Sequence, residues 1–397
     1  MVDVIKFFIK VPAYLVLLFS FITPRFRNIW IYGSNMGFVG NAKYMYIHTS
    51  THTKIHSIWI GSKTDVSHIQ SLGLQAYYRY SFKGLLYALI GGVYIYNSYV
   101  SDINLYTWGR AKRINLWHGV GIKNCERKIS TGPLARIFQT KNVFIKLKYL
   151  PFFVKPHLFL STSDQMTNLC MECFGITQDK FVENMYPRCD IFMWSEQRKK
   201  QFILRYENAK TLNLVNLLLT ISFSYLYMPT WRDSGYDFLH DFDYSRLNAI
   251  LRKRNEILLL KLHPVTKLNI DADFSNIIIV DKAVDLNSIM SYTDCLITDY
   301  SSVYYDYITI PNKRMILYIP DYEHYISRDR DLAFDYMDST EGEFARSFKE
   351  LCDLIEFRER DQFLYPRMSE IKERFWGCAE GSDVNDLCDK IMRYIQS

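Results

Sequence analysis

Several familiar signatures are missing from this 397-residue chain. It has one Cys-x-x-Cys, at Cys170 and Cys173, and no second pair follows at zinc-site spacing. That pair reads as a buried helix face before it reads as a metal or redox motif. His48, His52 and His56 recur four apart, as helix-borne zinc ligands do, but no acidic partner accompanies them. Gly33, Gly37 and Gly40 do not make a G-x-G-x-x-G, so a dinucleotide fold of the dehydrogenase type has no support. No Walker motif, low-complexity tract or long repeat occurs. No carboxylate pair has obvious metal-holding spacing, so neither a metal nor a cofactor is expected.

Strong charge and long apolar runs are also lacking. The net charge of +6 is modest and scattered. It suits anionic partners such as nucleotides, phosphates or an acidic membrane face. It is too weak to argue for nucleic-acid binding. The nearly uncharged run from Val11 to Thr23 is shorter than the ~20 residues that span a bilayer. Lys6, Lys10, Arg25 and Arg27 flank or interrupt it, and no small-residue cleavage site follows. Residues 1–27 therefore read as an interfacial, membrane-associating helix. The alternative is a hydrophobic helix docked on the protein itself. The eight cysteines are scattered, as free thiols in a reducing cytoplasm would be.

What is present is α/β rhythm. Hydrophobic residues make up 49% of the chain, which is globular composition, and the length favours two domains. "NIWIYGS", "HSIWIGS", "GGVYIYNS", "RINLWHG" and "HLFLSTSD" are short apolar runs closing on Gly, Asn, Ser or His. Amphipathic stretches at 66–72, 80–90 and 164–174 lie between them. This is βαβ alternation, implying parallel sheets covered on both faces. The rhythm pauses across the charged stretch 195–215 and resumes with "SYLYMPTWRD", "EILLLKLHP", "NIIIVD", "DCLITDYSS" and "KRMILYIPD". The expected domains are residues 28–205 and 206–397. Residues 343–397 read as helical, with the last helices able to cross back to the first domain.

In open α/β sheets ligands sit beyond the carboxyl ends of strands, and the polar residues of interest fall there. His118 ends an apolar run and is followed by Gly119 and Gly121, whose backbone could approach a substrate closely. Its neutral-range pKa suits a general base, although a structural histidine is an equal reading of the residue alone. Lys123 is the first cation after it in the sequence. In "MPTWRD", Arg232 could contact phosphate, with Thr230 beside it. His263, held extended by Pro264, could donate to a phosphate oxygen or simply bond a loop carbonyl. Asp299, Ser301 and Ser302 open a helix whose first turn could cradle phosphate, or the serines could merely cap it.

"LWHGVGIK", "YPRCD", "MPTWRD", "KLHP" and "ITDYSSVYYDY", in that order, resemble the CDP-glycerol glycerophosphotransferase family of teichoic-acid primases and polymerases, also found in capsule synthesis. "IWIYGS…NAKYMY", "RDRDLAFDY" and "EGSD" look like further family segments. The resemblance covers about residues 28 to 390. It implies a GT-B-like fold, with two Rossmann-like domains facing a cleft, an acceptor domain first and a CDP-donor domain second. It implies transfer of a polyol phosphate from CDP-glycerol or another CDP-polyol to a hydroxyl of a lipid-linked glycan or polyol-phosphate acceptor. CMP would be released at the cytoplasmic membrane face. His118 would be the base. His263 and the Asp299–Ser302 loop, with Thr230 and Arg232, would handle the donor. Gly119, Gly121, Lys123 and Arg188 would be acceptor or loop contacts. Val120-Gly121 stands where family members often have Thr-Pro, which leaves acceptor identity open. A GT-B sugar-nucleotide glycosyltransferase and a non-catalytic membrane scaffold are the rival readings.

Overall fold

The apolar runs that close on Gly, Asn, Ser or His all form strands in the computed structural model. It describes residues 12–130, 132–232, 234, 235, 239, 242–262, 274–357, 365–379 and 381–396. Two compact units emerge. The first comprises the residues up to His118, Arg136–Asp190 and those from Trp376 on; the second comprises Gly119–Ala135 and Ile191–Phe375. The first unit is thus interrupted after Asp190 and resumes at Trp376, whereas the sequence reading placed a single junction at 205–206. The charged stretch supplies two helices to the second unit, Glu196–Tyr206 and Ala209–Leu218. Phe202, Ile203, Leu214 and Val215 bury one face of each, and this apolar spacing keeps them with the second core.

The first unit holds a sheet of β1 (Phe26–Gly33), β2 (His56–Gly61), β3 (Ala76–Tyr78), β4 (Gly91–Tyr96), β5 (Lys112–Asn115), β6 (Leu158–Ser161) and β7 (Phe181–Glu183). All its pairings are parallel, in the order 3-2-1-4-5-6-7. Ile31, Ile58, Ile60, Tyr94 and Ala88 form its core with Ile103 and Ala111. Burying such side chains contributes about 1.5–3 kcal/mol each for the larger ones. Serines start the covering helices. Ser62 forms a capping box with Asp65, and Ser163 caps Asp164–Phe174, where Cys170 and Cys173 are both buried. His48 and His52 stack at 5.2 Å near the end of the helix Gly40–His52, but His56 opens β2 and meets Gln75 instead. The three histidines therefore do not share a helix face. The helix Val384–Gln396 belongs to this unit, where Asp190 accepts a bond from the Val384 amide.

The second unit repeats the plan with β8 (Phe223–Met228), β9 (Glu256–Leu260), β10 (Ile277–Ile279), β11 (Cys295–Thr298), β12 (Arg314–Tyr318) and β13 (Glu343–Ala345). Its order is 10-9-8-11-12-13, again all parallel. In each sheet the order reverses beside the first strand. The switch points lie between β1 and β4 and between β8 and β11, where a doubly wound sheet leaves room for ligand.

Residues 12–20 are helical. One side of this segment docks on the first unit. Ser20 accepts from the Gly109 amide at 3.0 Å, and Phe21 meets Trp108 edge-on at 5.2 Å. Arg25, expected among the basic flanks of a membrane helix, instead points inward. Its guanidinium donates to the carbonyls of Ala88, Gly91, Thr107 and Gly109. Residues 1–11, including Lys6 and Lys10, lie outside the described residues.

Candidate active site

His118 is presented by a strained turn at the end of β5. Trp117 has a φ of 52°, a left-handed conformation that bulky residues rarely adopt. Asn115 accepts from the Trp117 amide at 2.9 Å, and the buried Asn41 donates to the carbonyls of Leu116 and Trp117, each at 3.0 Å. The indole packs on Phe174 and Phe159. These contacts over-determine the turn and aim the imidazole at the end of β4. There Nδ1 lies 3.2 Å from the Asn97 carbonyl and 3.1 Å from Ser98 Oγ. A carbonyl only accepts, so Nδ1 carries the proton and Nε2 keeps its lone pair.

Surrounding protein disfavours the charged ring and lowers the His118 pKa to about 4; the Asn97 bond opposes this and the Arg188 charge adds to it. The histidine is therefore neutral at physiological pH. Arg188 itself is buried, lies over the Tyr186 ring at 4.7 Å, and donates its amide to Asn41 Oδ1 at 3.4 Å. Asp102 supports the site from beneath. It accepts from the amides of Asn35, Asn97 and Ser98, and burial pushes its pKa up to about 6.

In the second unit, Thr230 follows β8 and Asp299 follows β11, adjoining strands at the switch point. The Thr230 amide donates to the Asp299 carboxylate at 2.9 and 3.1 Å. Arg232 is 1% exposed. Its guanidinium grips Asp321 through Nε and Nη2 at 2.7 and 3.0 Å, and meets Asp299 at 2.9 Å. It also bonds the Thr230 carbonyl at 2.6 Å, between the rings of Tyr300 and Tyr325. These contacts hold the two strand ends together. Arg232 and Asp299 are thus internal struts of the site. Ser301 accepts weakly from the Val303 amide at 3.4 Å, while Ser302 is exposed and makes no capping bond. Gly119 and Gly121 lie against it. A Cβ on Gly119 would fall 2.9 Å from Ser302 Oγ, and one on Gly121 would fall 3.5 Å from Ser302 Cβ. His263 lies outside the described residues.

Residues 17–393 match the sequence profile of the family described as CDP-Glycerol:Poly(glycerophosphate) glycerophosphotransferase. The chain belongs to this family. The teichoic acid ribitol-phosphate polymerase TarL of Staphylococcus aureus is 30% identical over 61% of this chain and 41% of its own length. A teichoic acid glycerol-phosphate transferase of the same organism is 23% identical over 89% of both chains. The chain spans less than half the length of the ribitol-phosphate polymerases TarL and TarK. The solved wall teichoic acid polymerase TagF superposes with a TM-score of 0.75, covering 99% of this chain and 96% of that one at 19% identity. That likeness shows a shared, GT-B-like α/β fold.

For this family member, the residues expected from sequence form two groups. His118 and Arg188 belong to the first unit, and Gly119, Gly121, Lys123, Thr230, Arg232, Asp299, Ser301 and Ser302 to the second. Sequence reading missed Asn41, Asn97 and Asp102, which orient His118. Asn97 closes "GGVYIYNS" and Asn41 stands in "NAKYMY", so both were in quoted motifs. An asparagine that closes a strand signals a turn before it signals a histidine partner.

Proposed function

We propose that the protein transfers a polyol phosphate, glycerol phosphate first, from a CDP-activated donor to a hydroxyl of a lipid-linked acceptor in teichoic-acid-like or capsule polymer synthesis. The observation that carries this reading is the commitment of His118 Nδ1 to the Asn97 carbonyl. It leaves Nε2 as a base on a neutral ring. The acceptor hydroxyl gives its proton to Nε2 while its oxygen attacks the polyol-bearing phosphorus. The bond to CMP breaks, and the electron pair departs on the CMP phosphate. His263, Ser301 and Ser302 meet that charge; Thr230, Asp299 and Arg232 hold the strand ends that shape the donor site. Arg188, Gly119 and Gly121 are proposed as acceptor or loop contacts, on the family resemblance alone. Coverage of 89% of a glycerol-phosphate transferase supports glycerol, while the ribitol-phosphate relatives keep ribitol as the comparison.

The protein works, on this proposal, peripherally at the cytoplasmic membrane face. No helix among the described residues is long and apolar enough to cross a membrane. Leu15, Leu18, Phe19 and Ile22 are exposed at helical spacing, on the side of the N-terminal segment that does not dock. The short helix Val143–Lys148 exposes Val143 and Phe144 beside Lys146 and Lys148. Tyr14 reaches the Leu147 carbonyl at 3.4 Å, so both apolar patches belong to one face of the first unit. Exposed apolar side chains beside lysines suit an anionic lipid surface.

The test is incubation with CDP-glycerol, CDP-ribitol and UDP-sugars, following nucleotide release and acceptor mass. A phosphodiester product with CMP release is expected. A glycosidic product, or no turnover with any donor, would overturn the reading.

A further inference from the structure

Arg232, the arginine at the donor switch point, is already engaged by two carboxylates. A diphosphate brings negative charge of its own and needs a cation whose donors are still available. Lys123 meets that requirement. Its ammonium makes no hydrogen bond or ion pair among the described residues, and lies 5.7 Å from the centre of the Tyr325 ring. Tyr325 stacks on Tyr300 at 3.8 Å, and Arg232 lies over both rings. Two hydroxyls of this neighbourhood, Thr230 Oγ1 and Tyr325 Oη, are buried with no hydrogen-bond partner among the described residues. Leaving a buried hydroxyl unpaired costs about 1–3 kcal/mol, so such atoms mark places where a ligand supplies the missing partner. Tyr325 also opens the π-helical turn Tyr325–Asp329, a local irregularity often found at functional sites.

The backbone carrying Lys123 is fixed on both sides. Lys123 forms an isolated antiparallel bridge with Leu332, and the Ala333 amide donates to the Ile122 carbonyl at 2.6 Å. The Asn124 amide donates to the Asp331 carbonyl at 3.1 Å. The Asp331 carboxylate takes bonds from Asn124 Nδ2 at 3.1 Å and from the amide and hydroxyl of Ser130 at 3.2 and 3.1 Å. A loop lysine held this firmly gives up less freedom when it binds an anion.

We propose that Lys123 is the phosphate-binding cation of the donor site, meeting the CMP phosphate together with the hydroxyls of Thr230 and Tyr325. This moves Lys123 from the acceptor side, where the sequence placed it, to the donor. It rests on the donor reading above. As the bond between the two phosphates breaks, the electron pair passes to the CMP phosphate, and the ammonium offsets that charge without giving up its proton. The groups facing Lys123 are Asp299 and Cys125, which favour its charge, and Arg330 and Arg232, which oppose it. Burial outweighs them and lowers its pKa to about 8. The ammonium is therefore present below pH 8 and lost above it, so phosphate binding weakens on the alkaline side.

Calorimetry with CMP, CDP-glycerol and cytidine tests this in the full chain and in Lys123→Met and Lys123→Arg. Lys123→Met should weaken CMP and CDP-glycerol by about 10- to 100-fold, the range of a charge-assisted hydrogen bond. Cytidine, which lacks phosphate, should bind unchanged. Lys123→Arg should keep CMP affinity within about threefold and hold it above pH 8, since arginine stays protonated. Wild-type CMP affinity carried intact into Lys123→Met overturns the assignment while leaving the donor reading in place. So does loss of cytidine in parallel with CMP, which marks a structural lysine. Failure of the wild-type protein to bind CMP at all overturns the donor reading and this inference with it.

Discussion

Nδ1 of His118 lies 3.2 Å from the carbonyl oxygen of Asn97. A main-chain carbonyl here does what a carboxylate does in a hydrolytic triad: it fixes the tautomer and the ring direction. It does so without a full negative charge, so nothing strongly raises the basicity of the ring. His118→Ala should then lower turnover by about 10²–10⁴-fold, the usual worth of a general base. Affinity for CDP-glycerol should stay within about threefold, because on the proposed mechanism the base acts on the acceptor. Steady-state kinetics beside calorimetry checks both, and near-normal turnover would remove His118 from the chemistry.

Desolvation of the ring, which the Asn97 contact only partly offsets, sets the acid side of the pH profile. The His118 pKa is lowered to about 4, so its neutral, competent form survives well below the ordinary histidine range of about 6.5. The acid limb of kcat/KM should fall near pH 4. A limb at 6 to 7 would mean that solvent reaching this exposed ring outweighs its desolvation by the surrounding protein.

Arg232 offers a contrast between holding and binding. Its charge is buried between Asp299 and Asp321. Removing one member of a buried pair strands the other charges, at a cost of about 3–5 kcal/mol. Arg232→Met should lower the melting temperature clearly as well as weaken the donor. A direct phosphate ligand would lose donor affinity with little change in stability, and a thermal melt of the variant decides.

Gly119 meets a narrower constraint. A methyl there would lie 2.9 Å from Ser302 Oγ and 3.2 Å from its Cβ. Gly119→Ala should push the segment after His118 outward and cut turnover by roughly tenfold, as displacements of a fraction of an ångström do. Adding Ser302→Gly removes the obstructing atoms and should restore part of the rate. If the double variant is no better than Gly119→Ala, the clash is not the cause.

The proposed membrane face can be tested without truncation. Replacing Leu15, Leu18 and Ile22 together by serine changes exposed side chains and leaves the docked Ser20 and Arg25 in place. The variant should keep its thermal melt and its activity on a soluble short acceptor, yet fail to float with anionic liposomes. Unchanged flotation would shift membrane contact elsewhere.

Much of this was legible in the residues. Strands such as β1, β4, β8 and β11 carry near-continuous apolar runs because helices cover both faces of a parallel sheet. The strands that escaped notice, β3, β7 and β13, have three residues each and lie at or near sheet edges. So few residues set up no detectable period, and β13 falls inside a tail read as wholly helical. The candidate residues at strand ends, such as His118 and Asp299, stood out because apolar runs stop there. Their orientation did not. Nothing local tells that Arg232 turns inward to Asp321, 89 positions away, or that Arg25 turns to carbonyls of the first unit where a lipid-facing pattern was expected. Long-range pairing of charge is set by tertiary packing, and no spacing rule reports it.

The division of the chain also bears on recombination. Residues 119–135 are encoded inside the first half yet pack with the second, where Asp331 holds Asn124 and Ser130. A chimera joined only at Asp190 would take everything from residue 191 onward from one parent and this insert from the other. Donor specificity would then be inherited in two pieces that had never been selected together. Exchanging it between relatives calls for four cuts rather than one, with the insert moved as part of the second half and the C-terminal helix left with the first.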